Sequence, residues 1–335
     1  MKKDTNILTD DFGRKHSYLR LSLTEKCNLR CTYCMPENGV PLTPKANIMT
    51  ADEIFKIASV FVKHGVTKIR LTGGEPLVRK DFSEILKQLS ILNTKLSITT
   101  NAVIVDRFID DFRRYGLEDI NVSLDSLQAE KFTFITRRDQ FKKAYDNIIL
   151  LMEKGFNVKM NVVLIKGFNE DEIIDFIKFT KHLPISIRFI EFMPFDGNNW
   201  NKDKLVTQAD ILEKTNAYFG EDDVISLQNE RNFTSRNYQI KGYKGIFGII
   251  SSVSNPFCDS CNRIRLTANG NIKNCLFSNQ ETNLLTAYRQ GENIEPLISN
   301  LIQKKYAVRA GMTDFETLNN PENHTNNRSM ITIGG

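Results

Sequence analysis

The sequence predicts an α/β chain: a partial (β/α)6, TIM-like barrel followed by a C-terminal α+β extension. Three observations carry this. From Ser17 to Phe192 short apolar runs alternate with longer amphipathic stretches, the mark of parallel strands joined by crossover helices. The unit recurs roughly every 25–35 residues, and right-handed crossovers repeated along six strands curl a sheet into a partial barrel. After Phe192 the alternation stops. Periodicity alone does not separate this barrel from a flat, doubly wound sheet.

The strand candidates in order are YLRLSL, KIRLT, KLSITT, DINVSL, VKMNVVLI and ISIRFIEF. The clearest helix runs from about Ala51 to His64, where Ile54, Ile57, Ala58, Phe61 and Val62 share one face. Thr50 and Glu53 have capping-box spacing, and Gly65 stands where a C-terminal cap belongs. Helical patterns also follow Asp81, Asp106, Phe141 and Asn169. Residues 196–204 (DGNNWNKDK) read as a polar loop, which divides the chain into a barrel over 1–195 and a second region over 196–335. The second region holds a helix near 207–219, strand-like NYQIKGY and GIFGIISSV, a helix from about 280 to 305, and a polar segment, 319–329, expected to be mobile.

Composition narrows the function. The chain has 335 residues, 41% of them hydrophobic, enough for a sizeable core. Lys and Arg number 45 against 40 Asp and Glu, a net charge of +5 that falls short of a dedicated nucleic-acid binder and suits a small anionic ligand. No apolar run long enough to span a membrane is present, and the N-terminus is polar where a signal peptide is apolar. The expectation is a soluble, cytoplasmic protein that binds neither membrane nor nucleic acid.

Six cysteines fall into two triplets, at 27, 31, 34 and at 258, 261, 275. Close spacing in a reducing compartment points to metal or catalysis. The four histidines (His16, His64, His182, His324) adjoin neither triplet in sequence, which weakens a Cys3His zinc site. Cys27, Cys31 and Cys34 form CxxxCxxC just after the first strand, at the mouth where such barrels build active sites. A four-iron cluster normally takes four thiolates, so three leave one iron free for a small molecule. Gly73 and Gly74, closing the second strand in KIRLTGGEP, let backbone approach closely. Cys258, Cys261 and Cys275 form a Cx2C with a third cysteine thirteen residues on; by spacing alone, a zinc ribbon lacking one ligand competes here. Arg263 and Arg265 alternate after that Cx2C, so a strand would aim both at one face.

The first triplet, with Tyr33 before its third cysteine and TGGEP one βα unit later, resembles that of radical S-adenosylmethionine enzymes. With FGR, YLRLSLTEKCNLRCTYCMP, IRLTGGEPLVR, TTN, INVSLD, VKMNVV, IRFIEFMPFDGNNW, CNRIRL and the terminal Gly-Gly, nearly the whole chain is similar to the GTP 3′,8-cyclases of molybdenum cofactor biosynthesis. The resemblance implies two [4Fe-4S] clusters on the two triplets and S-adenosylmethionine held by Tyr33, Gly74, Ser123 and Met193. It also implies GTP bound by the second cluster and by Arg20, Arg70, Thr99, Lys159, Arg263 and Arg265. The same resemblance implies a part in catalysis for Arg20 and the terminal Gly334 and Gly335, with the glycine tail threading into the cavity. The reaction it implies begins with a deoxyadenosyl radical abstracting the ribose C3′ hydrogen, after which the carbon radical attacks C8. The partners implied are GTP, S-adenosylmethionine and a one-electron donor protein; a homodimer is left open. Ala102 follows TTN where the family has glycine, so the turn beside Thr99 is expected to be reshaped. A peptide-modifying radical enzyme and a zinc-bearing RNA-binding module are the competing readings.

Overall fold

The computed structural model describes residues 6–36, 39–198, 200–228, 232, 234–324 and 327–334. Six strands succeed one another as expected: β1 (Tyr18–Ser22), β2 (Lys68–Thr72), β3 (Lys95–Thr100), β4 (Asp119–Ser123), β5 (Asn157–Leu164) and β6 (Ser186–Glu191). Each pairs in parallel with the next. The crossovers are α1 (Ala51–Lys63), α2 (Phe82–Ser90), α3 (Ile109–Arg114), α4 (Ala129–Thr136), α5 (Phe141–Glu153) and α6 (Ile173–Phe179). In α1 both halves of the Thr50/Glu53 capping box form, and Ile54, Ile57, Ala58 and Phe61 are buried. Gly65 ends the turn at φ +104, a conformation side chains resist.

Beyond residue 195 the chain does not build a separate layer. After α7 (Gln208–Phe219), β7 (Val224–Ser226), β8 (Arg236–Ile240) and β9 (Ile246–Ile250) extend the sheet past β6, with β9 parallel to it. Next, β10 (Arg263–Leu266), β11 (Asn271–Lys273) and β12 (Thr282–Asn283) extend the opposite edge, β10 lying parallel to β1. The result is one twelve-stranded sheet in the order β12-β11-β10-β1-β2-β3-β4-β5-β6-β9-β8-β7. Two expectations for this region need correction. The helix from 280 to 305 is two, α8 (Leu284–Arg289) and α9 (Glu295–Gln303): Gly291 turns left-handed at φ +76 to end the first, and Pro296 opens the second. The polar segment expected to be mobile is packed where it is described. There His324 Nε2 faces Leu318 O at 2.7 Å, and the Asn327 amide donates to Leu276 O at 3.1 Å. Two further short helices follow, α10 (Phe315–Asn319) and α11 (Met330–Ile333).

Alternation within the strands sorts side chains between two environments. Leu19, Leu21, Ile69, Leu71, Ile98, Ile120, Val122, Ile264 and Leu266 are buried in the apolar core. Their neighbours of opposite parity, Arg20, Arg70, Thr99, Asn121, Lys159 and Arg265 among them, line a single cavity. A barrel interior is ordinarily packed with branched apolar residues; this one leaves a cavity into which charged and polar strand residues face, beside apolar ones.

Candidate active site

The cavity holds about 750 Å³, within the range of ligand sites. All six cysteines line it, so two triplets more than 220 residues apart in sequence face one space. The first triplet sits on the loop after β1, which is sewn to the neighbouring strand ends. Gly74 N donates to Thr24 O and Glu75 N to Lys26 O, both at 2.8 Å. A Cβ on Gly73 would fall 2.5 Å from Thr24 O, and one on Gly74 would fall 2.5 Å from Lys26 O and 3.1 Å from Cys27 Cβ. Both positions therefore require glycine so that β2 can dock against the cysteine loop, in addition to lining the cavity.

Two buried carboxyls complete the attachment. Glu75 accepts from Thr100 Oγ1, Asn101 N and Leu77 N; burial lifts its pKa to about 7 against those donors. Asp125 accepts the Tyr33 hydroxyl at 2.6 Å and Val163 N at 2.8 Å, and burial lifts it to about 6. Burial likewise raises the thiols of Cys27, Cys31 and Cys34. Tyr33 is thus fixed by its hydroxyl with its ring at the cavity wall, where Ser123 and Met193 also stand.

Register places the cations. Arg265, Arg20 and Arg70 are directly aligned across β10, β1 and β2, while Lys159 is aligned with Asn121 and, through it, with Thr99. Every substrate contact expected from the sequence faces the cavity. Arg188, Lys68 and Tyr18 join them, and the sequence reading missed these three. Their signal was available, since each occupies the cavity parity of its strand. Burial first, then repulsion from neighbouring cations, depresses Arg20, Arg188 and Lys159. Arg20 and Arg188 fall to about 10 and Lys159 to about 8, although the neighbouring Tyr18 works upward on both arginines. Arg20 Nε, Arg70 Nε, Arg188 Nε and Thr99 Oγ1 are buried without a hydrogen-bond partner. Unsatisfied donors of this kind are costly, and their convergence fits a polyanion.

The arginine pair after the Cx2C divides its work. Arg263 lies over the Phe257 ring at 4.9 Å, whereas Arg265 is buried and donates to Gly334 O at 2.6 Å. The tail therefore packs against the ends of β1 and β2: Gly334 adopts φ +88, and a Cβ there would lie 2.7 Å from Thr72 Oγ1 and 2.8 Å from Ser22 Cβ. Gly335 lies outside the described residues. The turn at Ala102 is not reshaped as expected. Ala102 takes φ +61 regardless, held by its N–H to Thr100 Oγ1 at 3.1 Å and by the Asn147 amide on its carbonyl at 2.7 Å, and Thr99 keeps its place.

The donor set bears on cofactors. Each triplet offers three soft thiolates and no histidine, a set suited to iron–sulfur clusters. Among the described residues no three His, Cys, Asp or Glu side chains close on a single ion, and no helix is long and apolar enough to cross a membrane. Cys261 is distinctive: burial raises its thiol, but Arg263 and Lys305 outweigh that and bring it to about 6.

Comparison with known proteins agrees with this geometry. Residues 21–180 match the Radical SAM superfamily and residues 185–313 match Molybdenum Cofactor Synthesis C. Human "Molybdenum cofactor biosynthesis protein 1" is 46% identical over 333 residues, covering 98% of this chain and 51% of that protein; the chain thus spans about half the length of such relatives. The Arabidopsis thaliana "GTP 3′,8-cyclase, mitochondrial" is 45% identical over 337 residues, covering 99% of this chain and 84% of that one. Among solved structures, Streptococcus suis SuiB bound to S-adenosylmethionine superposes with a TM-score of 0.58 at 18% identity, over 81% of this chain and 65% of that chain, which supports the fold alone. With a Radical SAM region followed by a Molybdenum Cofactor Synthesis C region, and 45% identity to a cyclase over 99% of this chain's length, the chain belongs to the GTP 3′,8-cyclase family of the radical SAM superfamily.

Proposed function

We propose that the chain converts GTP to 3′,8-cyclo-7,8-dihydro-GTP, the first step of molybdenum cofactor biosynthesis. The observation that carries this reading is the meeting of both cysteine triplets in one cavity with cations whose Nε atoms have no partner. Cys27, Cys31 and Cys34 would hold one [4Fe-4S] cluster, and Cys258, Cys261 and Cys275 a second. When bound, the first cluster with S-adenosylmethionine supplies a 5′-deoxyadenosyl radical on one-electron reduction, which calls for an external electron donor protein.

The chain's own residues bind, orient and exclude water. Tyr33, Gly74, Ser123 and Met193 would flank S-adenosylmethionine beside the first triplet. Arg20, Arg70, Thr99, Lys159 and Arg263 would take GTP, with Arg188 and Lys68 added from the structure. A triphosphate would neutralise their mutual repulsion, each charge-assisted contact being worth about 1.5–3 kcal/mol. Arg265 would act by seating the Gly334–Gly335 tail, leaving Arg263 the freer guanidinium. On this reading 1–195 supplies the radical source and 196–335 the second triplet and tail, across one continuous sheet. Positioning of this order is what lets a reactive species meet one carbon of its substrate.

The test is direct. Anaerobically reconstituted protein is incubated with S-adenosylmethionine, GTP and dithionite, and the nucleotide product is identified by mass spectrometry. A product isomeric with GTP, formed with 5′-deoxyadenosine, supports the proposal. Formation of 5′-deoxyadenosine with GTP left intact overturns it.

A further inference from the structure

The segment before β1 has no part in the chemistry above, yet it is buried: Asp10 is 4%, Arg14 9% and His16 1% exposed. Arg14, the arginine of the FGR motif, donates from Nε to Asp10 at 2.6 Å and from Nη1 to Cys258 O at 3.0 Å and Ala307 O at 2.8 Å. It therefore clamps a cysteine of the second triplet to the chain just past α9. Lys305, also 4% exposed, begins that stretch.

The tautomer of His16 orients Lys305. His16 Nδ1 lies 3.0 Å from Leu8 O, and a carbonyl only accepts, so Nδ1 carries the proton and Nε2 presents its lone pair. That lone pair faces Lys305 Nζ at 2.8 Å. The remaining acceptors around Nζ are Arg263 O at 3.3 Å and Cys261 Sγ at 3.4 Å: three acceptors for the three donors of an ammonium. Asp10 is engaged by Arg14, and among the described residues no carboxylate forms an ion pair with Lys305. A buried cation needs a compensating anion, and of its three neighbours only Cys261, as thiolate, can be one.

We infer that Lys305, held by His16, is a positioning residue that donates a hydrogen bond to Cys261 Sγ and raises the reduction potential of the cluster bound there. The inference rests on the two-cluster reading above. A donor on a ligating sulfur favours the reduced, more negative state, and such bonds are a recognised control of cluster potential.

Lys305→Met removes donor and charge at similar length, and Lys305→Arg restores both. The experiment is a redox titration of the reconstituted full chain followed by electron paramagnetic resonance, with Cys27→Ala/Cys31→Ala/Cys34→Ala protein identifying the second signal. K305M is expected to move the second cluster's midpoint to lower potential and leave the first in place, with K305R lying nearer wild type. An unchanged second midpoint in iron-replete K305M overturns the inference while leaving the two-cluster reading standing. If K305M does not keep its iron, Lys305→Leu, which also removes donor and charge, is titrated instead, and a wild-type midpoint there overturns it equally. A wild-type chain with no iron on the second triplet fails the function reading itself, which separates the two failures.

Discussion

Replacing Gly334 by alanine should unseat the C-terminal tail without unfolding the protein. At φ +88 an alanine carries about 1–2 kcal/mol of left-handed strain. Its Cβ would also sit 2.7 Å from Thr72 Oγ1 and 2.8 Å from Ser22 Cβ, closer than non-bonded atoms approach, so the chain end must withdraw. Withdrawal removes the 2.6 Å bond from Arg265 Nη1 to Gly334 O, a charge-assisted contact worth about 1.5–3 kcal/mol. That bond opposes withdrawal, so what the substitution adds against seating is the left-handed strain of about 1–2 kcal/mol together with the overlap; the strain alone lowers the ratio of seated to withdrawn tail by roughly 5- to 30-fold, and the overlap lowers it further. Global stability should change little, because the affected segment is one helical turn and its last residue. Three measurements on one preparation decide the matter: melting temperature, the rate of C-terminal trimming by carboxypeptidase, and cyclised product. The expected pattern is a near-normal melting temperature, faster trimming and a large loss of product. Wild-type trimming together with wild-type turnover would refute the reasoning.

Cys275→Ala should spare reductive cleavage of S-adenosylmethionine and remove GTP turnover, whereas Cys27→Ser should abolish both; equal loss of 5′-deoxyadenosine in folded C275A would count against separate roles for the triplets. Arg263→Ala should lower GTP affinity by roughly tenfold or more, as expected for one charge-assisted contact, with iron content unchanged. Arg265→Ala should instead reproduce the tail release of G334A, and calorimetry with carboxypeptidase trimming separates the two arginines. Burial, then Arg188, lowers Lys159 to about 8, so it is cationic below that pH and neutral above. Wild-type kcat/KM for GTP should therefore fall as pH rises through about 8, and Lys159→Arg should extend the plateau upward; superimposable profiles would remove Lys159 from the site.

What the sequence by itself determined is what local periodicity can encode. Alternation in LRLS, KIRLT and INVSLD assigns parallel strands and, by parity, sorts leucines and isoleucines from the arginines, asparagines and threonines that face the cavity. Arg188 is legible on the same rule, since it alternates with the buried Ile187 and Phe189 of its strand. Spacing marked both cysteine triplets because each is local in sequence, the first on one short loop and the second flanking the β10–β11 pair. Contacts between distant segments were decided only by the tertiary structure. Strand order set Arg265 beside Arg20 and Arg70 by pairing β10 with β1. The break between α8 and α9 is marked locally by Gly291 and Pro296, whereas the kept turn at Ala102 and the packing of His324 and Asn327 depend on neighbours no window contains. The same holds for Lys305: 289 residues separate it from His16, and burial, not spacing, joins them at Cys261.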